Sequence, residues 1–293
     1  MRLLLFLCSF LLSAGTLSAE TVTLNSSNTL QMNTYYNQIS VGEVMQSAIE
    51  LHQNLPAGEP FYLVINSGGG YISAGLEMIQ FLNGLGREVH TITMYAASMG
   101  FETVQGLYGK RLILNTGSLM SHRASGGFYG EFPNGNLDTR YKFWLSRLLA
   151  KDLRVVERNT KLKSLKQYRA LIANEYWCEG QACVSDGFAD QVVSAKCDES
   201  LSKILNKDSN IVMSGYPIVL RTTESSCPLQ PYTLSWNLYY QGKPLWTKPQ
   251  EEGATNYMDY DLFGDRKTTM EIIKRVGKYI QSQNQKTPIM VVK

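Results

Sequence analysis

The sequence predicts an α/β fold in which parallel strands are joined by crossover helices, followed by a smaller α+β segment. Two observations carry the prediction. Between residues 41 and 115, short apolar runs bounded by turn signals alternate with stretches of helical periodicity, the order that parallel strands and their crossovers require. After Asp198 the alternation stops and a turn-rich, aromatic composition takes over, as in "SWNLYYQGKPLWTKP" (235–249).

"VGEVMQSAIELHQNL" (41–55) spaces its apolar residues as a helix does, and "PFYLVINS" (60–67) is a short apolar run ending in a turn signal, hence a buried strand. "YISAGLEMIQFLNGL" (71–85) reads as a helix, "EVHTITM" (88–94) as a strand, residues 98–107 as a helix and "KRLILN" (110–115) as a strand, with a further strand before His122. Leu137 to Asn159 form a long helical pattern with Tyr141, Trp144, Leu145, Leu148 and Leu149 on one face. Such a stripe serves packing within the domain or contact between subunits equally well. "DRKTTMEIIKRVGKYIQSQ" (265–283) is one amphipathic helix.

The chain has 293 residues, 44% of them hydrophobic, and a formal net charge of +3. That length accommodates one large domain and a smaller one, and so small a charge demands neither nucleic acid nor a membrane surface as partner. "MRLLLFLCSFLLSAGTLSA" (1–19) combines one arginine, an apolar stretch and small residues ending at Ala19, the layout of a secretory signal peptide cleaved before Glu20. The expected organisation is a leader over 1–19, a main domain over 20–199 and a segment of undisclosed role over 200–293. The mature protein is expected to be secreted or periplasmic.

Without the leader, Cys178, Cys183, Cys197 and Cys227 remain, and in an oxidising compartment disulfides are the default. Cys178 with Cys183 and Cys197 with Cys227 is the expected pairing, proximity in sequence favouring the first. Zinc is the rival, but the spacings of five, fourteen and thirty residues contain no C-x-x-C, and no histidine follows His122. No metal and no cofactor is expected.

"TMYAASMGFETVQG" (93–106) places Ser98 among small residues where a strand turns into a helix. A serine there either caps the helix or is presented as a nucleophile. Ahead of it, "INSGGGYISAG" (65–75) sets three glycines between a strand and a helix. Glycines let backbone N–H groups approach an anion closely; neither phosphate-loop spacing is present, which favours the oxyanion of acyl transfer. Twenty-four residues after Ser98, "LMSHRASGGFYGE" (119–131) brings His122 to a strand end beside a further glycine pair. A histidine is suited to take a serine proton near neutral pH. His52, on a helix, and His90, within a strand, read instead as surface or satisfied core residues.

These motifs together resemble the Clp protease proteolytic subunit family, serine peptidases of the ClpP/crotonase fold. "NSGGG" (66–70), "AASMG" (96–100), "MSH" (120–122) and "GFAD" (187–190) match the family's patterns in order, across roughly residues 37–195. The resemblance implies stacked ββα units, Ser98 as nucleophile, His122 as general base, and an oxyanion hole from the N–H groups of Gly70 and Met99. The family's aspartate falls on Glu175 in "ANEYWCEG" (173–180), with Asn174 beside it as a tautomer-holding substitute. Gly68 replaces the family's proline, and the pair Cys178 and Cys183 flanks the loop of the third residue.

The resulting expectation is an exported serine endopeptidase acting on peptides or unfolded protein segments, assembled as a homo-oligomer, with no nucleic acid and no unfoldase partner implied. Three alternatives stand beside it. One is a catalytically weak or inactive assembly protein of the same fold. The others are an acyl-CoA enzyme of the crotonase type and a serine-lysine variant using Lys110.

Overall fold

The structure, a computed structural model, describes residues 20–125, 136–213, 216–230, 233–240, 242–248 and Lys278. Seven strands form the main sheet: β1 (Thr21–Leu24), β2 (Thr29–Met32), β3 (Phe61–Ser67), β4 (Val89–Ala97), β5 (Arg111–Ser121), β6 (Tyr176–Glu179) and β7 (Gln191–Cys197). Their order is β1-β7-β5-β4-β3-β2, with β6 added on β5. Every pairing along that path is parallel, and only β6 runs antiparallel to its neighbour. The α/β prediction therefore describes this sheet.

The central strands are apolar nearly throughout because both faces are covered. On one face, α1 (Gln38–Asn54), α2 (Ile72–Gly84) and α3 (Met99–Gly106) bring Val44, Met78, Leu82 and Phe101 against Leu63, Ile65, Ala96 and Ile113. On the other, Val64, Ile92, Leu112 and Val193 pack with Leu24, Leu201, Cys227 and Leu229. That second cluster joins residues on both sides of position 199. A capping box starts α1, the Asn37 side chain accepting from Ser40 N–H while the Ser40 hydroxyl accepts from Asn37 N–H.

Two strands run further than their apolar runs suggest. β4 continues from Met94 through Ala97, and residues 111–121 are one strand, not a strand, a loop and a second strand. The correction has a local cause: pairing moves from Thr93↔Ile113 to Tyr95↔Ser118, so β5 bulges through its polar "LNTG". Gly117 permits the bulge, since a Cβ there would lie 2.4 Å from Thr93 O. The edge strands β1 and β2 have only four residues each, too short for periodicity to mark.

A longer helix, α4 (Asn136–Arg158), precedes α5 (Leu165–Leu171) and α6 (Gly180–Ser185). Among its described side chains, Lys151, Asp152 and Val155 near the end of the helix are buried, Trp144 and Leu148 are half-buried, and Tyr141, Phe143, Leu145 and Leu149 are exposed. Beyond Leu201, β8 (Ile204–Met213), β9 (Tyr216–Ser225), β10 (Thr233–Tyr240) and β11 (Lys243–Lys248) form a separate antiparallel sheet in the order β11-β10-β9-β8. The helix expected over 265–283 falls, apart from Lys278, outside the described residues, as does the leader over 1–19. Cys178 is bonded to Cys183 and Cys197 to Cys227. Among the described residues no helix is long and apolar enough to cross a membrane.

Candidate active site

Ser98 is the single residue between the end of β4 and the start of α3, and its backbone sits at φ 55°, ψ −113°. Positive φ is costly for a residue with a Cβ and persists only where surroundings over-determine it. Those surroundings are visible: Ser98 N–H donates to Met120 O at 2.9 Å, and Ser98 O accepts from Glu102 N–H at 3.1 Å. The side chain makes no capping bond to the helix. Its Oγ lies instead 2.8 Å from His122 Nε2. The capping alternative does not describe this residue.

The glycine loop packs directly on the serine. A Cβ on Gly69 (φ 102°) would lie 2.7 Å from Ser98 Cβ and 2.9 Å from Met99 N, so only glycine allows the approach. The Tyr36 backbone holds the loop, donating to Gly69 O at 2.9 Å and accepting from Tyr71 N–H at 2.8 Å. A Cβ on Gly70 would strike Tyr36 O at 2.5 Å. The Ser67 hydroxyl adds a stitch, donating to Thr34 O at 2.5 Å and accepting from Gly69 N–H at 3.1 Å. Among the described residues neither Gly70 N–H nor Met99 N–H has an acceptor, and Met99 opens α3, where the first N–H groups have none within the helix. Gly68 is different: outside the left-handed region, its Cβ would meet only the Tyr95 ring at 4.0 Å. Its lack of a side chain is not required by packing.

His122 follows β5 directly and is half-buried. Glu175 is not joined to it. Its side chain is exposed, its backbone sits at φ 64°, and its carboxylate accepts from Trp177 Nε1–H at 3.1 Å. Among the described residues no hydrogen bond or ion pair links Glu175 to His122. Asn174, also exposed, ends a short 3-10 turn. The strand β6 explains the separation. It begins at Tyr176, opposite Ser121, and alternates buried Tyr176 and Cys178 with exposed Trp177 and Glu179. Glu175 lies just before that start. Trp177 in turn stacks on Tyr95 of β4, ring centroids 6.4 Å apart.

Beneath the pair lies a polar cluster that sequence reasoning missed. Ser121 Oγ and Tyr168 Oη are 2.9 Å apart and buried. Burial, with the Glu102 carboxylate nearby, holds the Tyr168 phenol far above its ordinary range, so it stays neutral. Glu102, one turn into α3, pairs with Lys151 of α4, and Lys151 also approaches Asp152 at 3.3 Å, which accepts from Arg169 Nε at 3.0 Å. Burial raises the Glu102 carboxyl; it would lower the Lys151 ammonium, but Glu102 and Asp152 outweigh it and hold Lys151 above its usual value. One signal was available: a glutamate inside the otherwise apolar and small "MGFETVQG" needs a partner when buried.

The aspartate of "GFAD" has a structural partner. Asp190 accepts from Arg111 N–H at 2.8 Å and from Arg111 Nε at 3.1 Å, while the guanidinium also reaches Gln105 Oε1 and Gly187 O. Burial alone would raise Asp190, but the hydrogen bonds and charge of Arg111 hold it below its usual range. His90 is buried in β4, its Nδ1 accepting from Lys110 N–H at 3.1 Å, and burial lowers its pKa. Among the described residues no three His, Cys, Asp or Glu side chains are grouped to hold a metal ion.

Comparison with known proteins agrees with the geometry. The sequence model of the Clp protease family matches residues 14–196. The ATP-dependent Clp protease proteolytic subunit of Streptococcus gordonii is 31% identical over 137 residues, covering 45% of this chain and 68% of that protein. The subunit of the same name from Streptococcus mutans is 32% identical over 134 residues, covering 45% and 67%. On the strength of that match and that identity, this chain belongs to the Clp protease family.

Proposed function

We propose that the protein is an exported serine endopeptidase that hydrolyses peptide bonds through an acyl-enzyme on Ser98. The observation that carries this reading is the 2.8 Å approach of His122 Nε2 to Ser98 Oγ, made by a serine that caps nothing and sits on a strained backbone. In the reaction His122 Nε2 accepts the Oγ proton as Oγ bonds to the substrate carbonyl carbon. The N–H groups of Gly70 and Met99 receive the developing oxyanion. The protonated imidazole then gives its proton to the leaving amine as the C–N bond breaks. A water attacks the ester, losing its proton to Nε2, and Oγ departs taking that proton back.

A catalytically weak protein of the same fold is the second reading, favoured by the commitment of Glu175 to Trp177 rather than to His122. A fluorophosphonate probe on the mature protein separates the two. Labelling of wild type and none of Ser98→Ala supports the peptidase; a folded wild type that resists the probe supports the second reading. Peptides or unfolded segments are the proposed substrates, with no unfoldase implied as partner.

The leader layout and the two disulfides support export. N-terminal sequencing of protein from the periplasm or medium should begin at Glu20, whereas a chain retaining Met1 in the cytoplasm would overturn that part. Self-association is proposed through the exposed apolar side of α4.

A further inference from the structure

We infer that Tyr168 and Ser121 are positioning residues that hold His122 against Ser98, the task a third triad carboxylate would otherwise perform. The inference rests on the peptidase reading of Ser98 and His122 and deepens it by naming what orients the base. Among the described residues the His122 ring makes one hydrogen bond, between Nε2 and Ser98 Oγ, while the Glu175 carboxylate is engaged by Trp177. The backbone gives little more. β5 pairs with β4 as far as Met120 and with β6 as far as Ser121, so His122 stands one residue past the sheet and takes its place from Ser121.

Ser121 is itself fixed by a directional bond. Its Oγ lies 2.9 Å from Tyr168 Oη, and the two residues are 1% and 0% exposed. Each hydroxyl is the other's partner, and among the described residues neither has a second. Packing explains neither hydroxyl. Tyr168 lies in the apolar cluster with Leu119, Val155 and Ile172, where a phenylalanine ring would fill the same space, and a β-branched apolar side chain would suit a buried strand position such as 121. Apolar contact is non-directional, whereas a hydrogen bond fixes a distance and an angle. The pair therefore sets where the end of β5 lies relative to α5.

That bond closes a circuit which returns to Ser98. Ser98 O accepts from Glu102 N–H of α3 at 3.1 Å, and the Glu102 carboxylate pairs with Lys151 of α4. Lys151 approaches Asp152 at 3.3 Å, and Asp152 accepts from Arg169 Nε of α5 at 3.0 Å. Arg169 follows Tyr168, Tyr168 bonds Ser121, Ser121 precedes His122, and His122 Nε2 meets Ser98 Oγ at 2.8 Å. Buried charges are a poor source of stability, but as one arc of this circuit they tie three helices to the strand end that carries the base. Such a frame raises rate, because a base must stay within hydrogen-bond reach of the proton it takes and small misplacements are costly.

The test separates orientation from packing. Tyr168→Phe removes one oxygen and adds no atom; it should slow fluorophosphonate labelling and lower kcat on a quenched peptide by about tenfold, with KM within about twofold of wild type. Ser121→Ala should fall equally, and the double variant should lie within about twofold of either single one, as two ends of one bond require. Ser121→Thr keeps the hydroxyl and should retain the rate within about threefold, while Ser121→Val, of the same shape, should lose about tenfold. Valine suits a buried strand at least as well as threonine, so a purely structural role predicts no such order. Wild-type rates in folded Tyr168→Phe, or equal rates in Ser121→Thr and Ser121→Val, would overturn the inference; if position 121 accepts neither, Tyr168→Phe decides. The chain has three histidines, so the His122 signal in imidazole NMR spectra is assigned by its loss in His122→Ala. If wild type resists the probe, the peptidase reading falls, and the His122 signal still decides the positioning: a shift in Tyr168→Phe upholds it and an unmoved signal overturns it.

Discussion

Gly69 and Ser98 touch backbone to side-chain base: a single methyl carbon added to the glycine would stand 2.7 Å from the serine Cβ. Ser98 is thus placed by a main-chain contact and by its own unusual torsion, φ 55°, rather than by a rotamer choice.

That placement separates activity from stability at one position. Ser98→Ala should abolish probe labelling and peptide hydrolysis while leaving the melting temperature near that of wild type. Ser98→Gly should be equally inactive yet more stable than Ser98→Ala by about 1 kcal/mol, because glycine adopts positive φ without a Cβ penalty. Paired denaturant titrations of the two variants check this.

Glu175 supplies the second prediction. Replacing a carboxylate that orients the base costs about four powers of ten in rate where it has been well characterised. Because the Glu175 carboxylate accepts from Trp177, Glu175→Gln should leave the labelling rate within about threefold, far from that loss. A fall of a thousandfold or more would mean that Glu175 turns to His122 during the reaction.

The buried pair Glu102–Lys151 should behave asymmetrically. Removing one partner leaves a buried charge, so Lys151→Met should cost about 3–5 kcal/mol. Replacing both, Glu102→Leu with Lys151→Leu, should recover most of that loss. Equal destabilisation by single and double variants in urea titrations would contradict the pairing.

How much of this was readable from the sequence depended on scale. Ser98 and the glycine loop stood out because each lies at a junction between strand and helix, and His122 because a histidine closes a strand beside a further glycine pair. The bulge in β5 was not readable, since "LNTG" has the composition of a loop and only its partner β4 keeps it in the sheet. Lys151 was hidden for a related reason: on α4 it looks like a solvated cation, and only the arrival of Glu102 from a helix 49 residues earlier buries it. Glu175 was found by counting, but counting along a chain does not report which way a residue before a strand will face.

Disulfide removal should follow loop size. Treating the bridge as a constraint on the unfolded chain, the 30-residue separation of Cys197 and Cys227 gives about 3.6 kcal/mol, and the five-residue separation of Cys178 and Cys183 about 2. Paired serine replacements measured in urea should keep that order. Denatured, unreduced mature protein should contain no free thiol.

Acid should find Asp190. Its folded pKa is held below the unfolded value of about 4 by Arg111, so the stabilisation is complete above that value and is lost as pH falls through the folded pKa. Asp190→Asn should therefore be less stable than wild type at pH 7, and the gap should narrow below about pH 4. A gap that stays constant from pH 7 to pH 3 would show that the bond geometry matters and the charge does not.

The second apolar cluster carries a consequence for how this protein can be divided. The family match ends at residue 196, one position before Cys197, yet the sheet face formed by Val64, Ile92 and Leu112 is roofed by Leu201, Cys227 and Leu229. Homology and packing therefore part company here: the stretch matched by the family ends before the apolar cluster that covers its sheet does. A chain truncated after residue 199 would surrender its roof and become sticky, whereas one cut after Gln230 would keep both the roof and the Cys197–Cys227 staple that fastens it.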